Sequence, residues 1–339
     1  MSGAHSQVRY GPKIPVCKLK ELFYKVKQKF IAANRLLRYY HFIAYRQAER
    51  HDTPLTRNNG MIVDFHTHMF TPDVCADRAP FLNDGQFRCL YDAPGARIVD
   101  HRGLGEAMRS SGVDIAVAMG FPWEREDHCA AQNDYFRRVL DETGGAILPF
   151  GSVPVGGTAD VRAWVRDIKK AGLAGVGEIG FYKDGMSPAN IDLLRRLLSA
   201  VSDEKIPLCL HVNEPVGHAY PSKYDPGMGE LYAALADHPG ATVILSHWGG
   251  GLLFYELMPE VSKALRNCYY DTAASPYLYT EAIYDAAIKI IGPRRILFGS
   301  DYPLISPGRY LATIGKCVAD SEARAGILGE NAARVLTIR

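Results

Sequence analysis

From Met61 onward the chain alternates with a regular beat, and this beat limits its possible folds more than any other feature. Short β-branched apolar runs stand at Met61–His66, Ile115–Met119, Ile147–Ser152, Ala174–Gly177, Pro207–His211, Thr242–Ser246, Cys268–Asp271 and Ile296–Phe298. Between them lie helical patterns such as Asn133–Thr143, Ala159–Ala171, Ala189–Glu204 and Ala282–Ile291. Eight such repeats predict βα units, and closing them gives an α/β fold, a (β/α)8 TIM barrel. A chain of 339 residues suits it, because barrels absorb roughly 250 residues or more as one unit. An open doubly wound sheet is the alternative. That fold carries a Gly-rich phosphate loop after its first strand, and none stands here.

Ahead of the beat lies a different kind of segment. Residues 1–60 hold 12 Lys and Arg against Glu21, Glu49 and Asp52, a balance of +9, while the rest of the chain carries −7. Leu19, Leu22, Val26, Phe30, Ala33, Leu37, Tyr40 and Ala44 recur at three- and four-residue spacing. They predict a basic amphipathic helix over 19–50. Such a helix packs on the barrel or a second subunit, or lies on an anionic membrane surface. The expected organisation is therefore a basic helical extension over 1–60 and a barrel over 61–339, with a homo-oligomer expected.

No run of about 18 apolar residues exists, and Met1–Val16 has no apolar core of a secretory signal. The seven cysteines are scattered without a CxxC pair. That speaks against a disulfide framework and for a reducing compartment, with the cytoplasm as the expected location. The stretch from Phe70 to Arg102, broken by Pro72, Pro80, Gly85, Pro94 and Gly95, is too long for a βα loop. It reads either as a lid or specificity element or as a structureless insertion.

The chemistry concentrates at the strand ends. In Val63-Asp64-Phe65-His66-Thr67-His68 the histidines stand two apart, so on a strand both imidazoles face one side and can share a metal ion. The fourth run ends at Glu178, the fifth at His211, the sixth at His247 and the eighth at Asp301. Imidazole and carboxylate together suit Zn²⁺, Mn²⁺ or Fe²⁺ better than Mg²⁺ or Ca²⁺, with Zn²⁺ the first expectation. Tyr182, Lys183, Trp248 and Tyr302 lie just past strand ends, where they either touch a small-molecule substrate or pack the rim.

This pattern resembles the amidohydrolase superfamily, and more narrowly the amidohydrolase-related family that includes aromatic-acid and amino-carboxymuconate-semialdehyde decarboxylases. Ser246-His247-Trp248-Gly249-Gly250, Tyr270-Asp271-Thr272-Ala273-Ala274-Ser275, Phe298-Gly299-Ser300-Asp301-Tyr302-Pro303 and the closing Gly329–Leu336 stretch carry the resemblance. It runs from about Met61 to the C-terminus. One departure stands out: Glu178 occupies the position of a carboxylated Lys in many binuclear members. Gly177-Glu178-Ile179-Gly180 is similar instead to TatD-type deoxyribonucleases, whose Glu bridges two metals.

The resemblance implies two metal arrangements. In the first, His66, His68, His211 and Asp301 hold one ion while His247 and Glu178 face substrate. In the second, Glu178 bridges and His211 and His247 hold a second ion. It also implies hydrolysis of an ester, lactone or amide as the leading function. There Asp301 would move the proton of an activated water and His247 would polarise the carbonyl. Non-oxidative decarboxylation of an aromatic or unsaturated acid is the alternative. Several decarboxylases carry Glu in place of the first His of the pair, which tilts His66 towards hydrolysis; Ser246–Gly250 pulls the other way. Phosphodiester hydrolysis is a third reading, supported by Glu178 and opposed by the acidic body, so no nucleic-acid partner is expected. A non-catalytic scaffold is the fourth.

Overall fold

The structure is a computed structural model that describes residues 60–156 and 159–338. The helix expected over 19–50 lies outside the described residues. Among the described residues no helix is long and apolar enough to cross a membrane.

Eight parallel strands form one sheet in sequential order: β1 (Val63–His68), β2 (Ile115–Met119), β3 (Ile147–Gly151), β4 (Gly175–Ile179), β5 (Leu208–Leu210), β6 (Val243–Leu245), β7 (Cys268–Asp271) and β8 (Ile296–Leu297). The chain beyond β8 returns to β1 and closes the ring. Phe65 donates its N–H to the Phe298 carbonyl at 2.7 Å, and Asp301 donates to the His66 carbonyl at 2.8 Å. This is the expected (β/α)8 barrel.

Two apolar layers follow from the twofold alternation of strand side chains. On β2, Ile115, Val117 and Met119 join Val63, Phe65, Phe150, Cys209, Ile244 and Leu297 inside the barrel. Ala116 and Ala118 face the surrounding helices, as do Val165, Leu194, Leu197 and Leu198 from two of them.

Two strands break the alternation, both at the candidate site. Val63 lies opposite Ile115 and His68 opposite Met119, with a register shift between Asp64 and Thr67. Residues five apart cannot share a face on a regular strand, so the extra residue of this β-bulge changes the parity and turns His68 inward. On β4 the register shifts between Val176 and Ile179, which both face the helix layer. The extra residue there frees Glu178 to point inward. Gly177 sits at φ 123°, and a Cβ on it would meet the Cys209 carbonyl oxygen at 2.4 Å. Only glycine fits at that position.

Element bounds differ from expectation in a few places. The helix expected from Asn133 begins at Glu126, because its first turns carry acidic and small residues that do not show the apolar period. Glu178 lies within β4 rather than past its end.

The stretch after β1 is ordered, which settles one of the two expectations for it. It forms helices at Pro72–Ala76 and Gly85–Tyr91 and a 3-10 turn at Ala79–Asn83. Its aromatic residues build a separate cluster with the barrel rim, in which Phe87 stacks on Trp123 at 4.9 Å and on Tyr91 at 4.8 Å. Asp84 ties this unit down. Its carboxylate caps the second helix at Phe87 N (3.2 Å) and accepts the Glu124 N–H at 2.8 Å and the Arg125 N–H at 3.3 Å. Asp84→Ala leaves these donors, the Phe87 N–H buried among them, without their acceptor and is expected to cost about 2 kcal/mol in denaturant unfolding.

Candidate metal centre

The two bulges and the strand ends bring six side chains to the C-terminal mouth of the barrel. His66 Nε2 and His68 Nε2 face each other at 3.0 Å. Asp301 Oδ1 lies 3.0 Å from His68 Nε2 and 3.8 Å from His66 Nε2. Glu178 Oε2 completes this group, 3.7 Å from His66 Nε2 and 3.9 Å from His68 Nε2. His247 Nε2 stands 3.7 Å from Glu178 Oε1 and 4.0 Å from Asp301 Oδ2. Donor atoms of His66, His68 and Asp301, and of His66, Glu178 and His247, are close enough together to hold an ion. His211 belongs to neither group; its Nδ1 faces Glu178 Oε1 at 3.1 Å.

The tautomer of His66 fits a cation at this point. Its Nδ1 lies 2.8 Å from Asp271 Oδ2, and both side chains are fully buried. A carboxylate only accepts, so Nδ1 carries the proton and the Nε2 lone pair is directed into the cluster. This is the carboxylate–histidine arrangement that orients metal-binding imidazoles. Cys209 also approaches His66, but burial pushes its thiol up to about 12, so it stays protonated behind the cluster.

The electrostatics call for positive charge. Burial opposes ionisation of Glu178, yet the neighbouring His211, His66 and His247 outweigh it and hold the carboxyl well below its usual range. Burial likewise opposes the Asp301 charge, but the His68 hydrogen bond and the nearby imidazoles bring it down to about 2. For His66, burial disfavours a second proton, while Asp271 and Glu178 more than compensate and raise its pKa well above the ordinary imidazole value, so an ion at Nε2 would take the place of a proton there. Two buried carboxylates therefore stay ionised and attract a cation to the point where the Nε2 atoms meet.

Backbone conformation adds a second mark of function. His247 sits at φ 87° and Asp301 at φ 61°, the left-handed region that ordinary residues avoid. Such conformations cost about 1–3 kcal/mol each and concentrate at functional sites. Asp271 helps to hold one of them by accepting the His247 N–H at 3.1 Å.

Rings wall the mouth on one side. Tyr91, from the ordered insertion, lies 5.8 Å from Phe121, which stacks against Tyr182 at 6.0 Å; Tyr182 meets His211 at 4.9 Å. The Tyr182 hydroxyl donates to Glu178 Oε2 at 3.3 Å. Burial and the charges of Asp301 and Glu178 together keep the Tyr91 phenol protonated.

Of the four rim candidates, then, Tyr182 reaches the cluster. Trp248 is fully buried, with its indole N–H on Ser275 Oγ at 2.7 Å. Lys183 pairs with Glu124 at 2.8 Å on the exposed side, and the Tyr302 hydroxyl donates to the Gly103 carbonyl. These three pack the rim. Sequence reasoning gave no role to Asp271, although a carboxylate ending β7 carried the same signal as the other strand ends. It also gave none to Tyr91 or Asn213, which no periodicity marks.

An eight-stranded parallel barrel with buried imidazoles and carboxylates converging at its C-terminal mouth defines a barrel with a candidate metal centre. The chain belongs to the amidohydrolase family, whose family model matches residues 63–338. No curated protein matches it. Solved structures share its fold. A 2,6-dihydroxybenzoate decarboxylase, solved with 2,6-dihydroxybenzoate, is 18% identical with a TM-score of 0.61, over 82% of this chain and 100% of that one. A 5-carboxyvanillate decarboxylase from Novosphingobium aromaticivorans, solved with bound manganese, is 13% identical with a TM-score of 0.67, over 83% and 98%. An amidohydrolase from Burkholderia multivorans is 16% identical with a TM-score of 0.56, over 82% and 100%.

Asp271→Asn tests the support of His66. The amide is a weaker acceptor and does not stabilise the proton on Nδ1, so affinity for Mn²⁺ or Zn²⁺ is expected to fall about 10–100-fold by chelator competition.

Proposed function

We propose that this protein is a metal-dependent carboxy-lyase that removes carbon dioxide from a small aromatic carboxylic acid. The observation that carries the reading is the row of rings at Tyr91, Phe121 and Tyr182 beside the ligand cluster. A flat aromatic acid fits such a wall, whereas an ester or amide does not call for one. The named decarboxylases among the structural neighbours support this reading better than the hydrolysis that sequence analysis put first.

His66, His68, Asp301 and Glu178 would hold one divalent ion, with His247 at its edge. Their nitrogen and oxygen donors suit manganese, iron or zinc, and manganese is the ion in one neighbour. When bound, the ion supplies positive charge that orients the substrate carboxylate and an adjacent oxygen.

The remaining work falls to side chains. As the bond to the carboxylate breaks, its electron pair passes into the ring, carbon dioxide leaves, and the ring carbon takes a proton. Asp301 is suited to carry that proton, taken from the substrate hydroxyl or from water, because Oδ1 faces His68 while Oδ2 is turned towards His247. Burial and the neighbouring His211 lower the pKa of His247, so it meets the substrate as a neutral imidazole able to hydrogen-bond an oxygen. Tyr91, held protonated, offers its hydroxyl to ring substituents, and Tyr182, bonded to Glu178, walls the site and excludes water.

The test is to incubate manganese- and zinc-loaded protein with a panel of hydroxybenzoic acids, esters and lactones. Metal-dependent carbon dioxide release from an aromatic acid is expected. Turnover of an ester or lactone with no carbon dioxide from any acid overturns the proposal in favour of hydrolysis.

A further inference from the structure

The loop after β5 carries a carboxylate that the ligand cluster does not use. Glutamate side chains are normally exposed, yet Glu214, in His211-Val212-Asn213-Glu214-Pro215, is only 9% exposed. Its Oε2 accepts the Tyr220 hydroxyl at 2.8 Å. Its Oε1 is buried and meets no donor among the described residues. Lys223, a cation of the same loop, is turned elsewhere. Its Nζ donates to the carbonyls of Val216 and His218 at 2.6 and 3.0 Å and lies 5.2 Å from the centre of the Tyr220 ring. Burial without a donor leaves the desolvation of Oε1 uncompensated, and a donor arriving from outside would offset it.

The surroundings place this carboxylate beside the mouth. Asn213 Nδ2 lies 2.9 Å from the Tyr220 hydroxyl and 3.0 Å from His211 Nε2, so Glu214 stands three hydrogen-bond lengths from the edge of the cluster. The loop after β6 closes on the same point, since a Cβ on Gly250 would collide with the Asn213 carbonyl. Tyr279, after β7, brings a second phenol, which burial and the neighbouring Glu214 keep protonated. We infer that Glu214 Oε1 is the acceptor for a hydrogen-bond-donating substituent, a hydroxyl or amino group, carried by the aromatic acid on the side of its ring away from the carboxylate. The carboxylate end belongs to the ligand cluster, and the ring spans the distance to the β5 loop. A methyl group in place of the donor leaves Oε1 buried and unpaired, which is how such a site discriminates. The inference rests on the carboxy-lyase reading for the kind of molecule bound but not for its turnover, so its test reads binding.

The probes are benzoates carrying an amino, hydroxyl or methyl group at the 3- or 4-position, three substituents of nearly equal size. Each is titrated calorimetrically into the manganese-loaded full chain. The amino- or hydroxybenzoate is expected to bind at least about tenfold tighter than the matching methylbenzoate, and the tighter of the two identifies the donor. In Glu214→Gln the amide oxygen is claimed by the Tyr220 hydroxyl and an N–H stands where Oε1 stood. That variant is expected to lose the preference while its affinity for methylbenzoate stays unchanged. Equal affinities in wild type overturn the inference, as does weak binding of all three. So does a preference that survives in Glu214→Gln, or a loss of methylbenzoate binding alongside it. Where Glu214→Gln does not fold by circular dichroism, Glu214→Asp, which withdraws the acceptor by one methylene, takes its place with the same outcomes. A preference without carbon dioxide release from any acid counts only against the carboxy-lyase proposal, and release without a preference only against this inference.

Discussion

Asp301→Asn is expected to lower turnover by about 10²–10⁴-fold while leaving the fold at least as stable as wild type. The two effects separate because the role proposed for Asp301 is chemical, while its backbone conformation is a structural cost. Its left-handed backbone, at φ 61°, is one that asparagine adopts as readily as aspartate. The amide keeps the side-chain shape but cannot carry a proton between substrate and ring carbon, and it removes one negative charge facing His68 and His66. Single-turnover kinetics at saturating metal, together with a thermal melt, would check both halves. A melting temperature well below wild type would mean that Asp301 is a structural residue and that the activity loss reports unfolding.

Glu256→Ala is expected to destabilise the protein by about 3–5 kcal/mol with metal affinity unchanged. The carboxylate is buried in the loop after β6 and pairs with Arg295, which enters just before β8. It also accepts the Tyr270 hydroxyl at 2.6 Å. Arg295 gains further acceptors in the Leu265 and Cys268 carbonyls, so the pair links the segments around the last three strands of the barrel. Removing the acid leaves a part-buried guanidinium with only carbonyl acceptors and a buried phenol without its acceptor. Denaturant unfolding measures the loss. A change below about 1 kcal/mol would place the pair with ordinary surface ion pairs.

The strand order was legible because each βα unit writes its own period into the sequence. So was the convergence of His66, His68, Glu178, His211, His247 and Asp301 at one mouth, because strand ends in a barrel open on one face. The bulges in β1 and β4 were not, since a register shift depends on the neighbouring strand and leaves no mark in the strand's own pattern. They decide the most: without them the i, i+2 rule puts the His66/His68 pair on the wrong face relative to Val63, and Glu178 among the helices. The order of the insertion after β1 was left open for a related reason. Phe70, Phe87, Tyr91 and Trp123 come together only in three dimensions. The partner of His211 was not legible either, because a strand end fixes position and not hydrogen bonding: its Nδ1 faces Glu178 Oε1 at 3.1 Å.

The most direct test of the account is metal content per chain, in wild type and in Glu178→Ala, after equilibration with manganese and removal of free ion. One ion at His66, His68, Asp301 and Glu178 predicts a single manganese per wild-type chain and its loss, or a large fall in affinity, in Glu178→Ala. Two ions in wild type falling to one in the variant would contradict it and make Glu178 a bridge between His66/His68 and His211/His247.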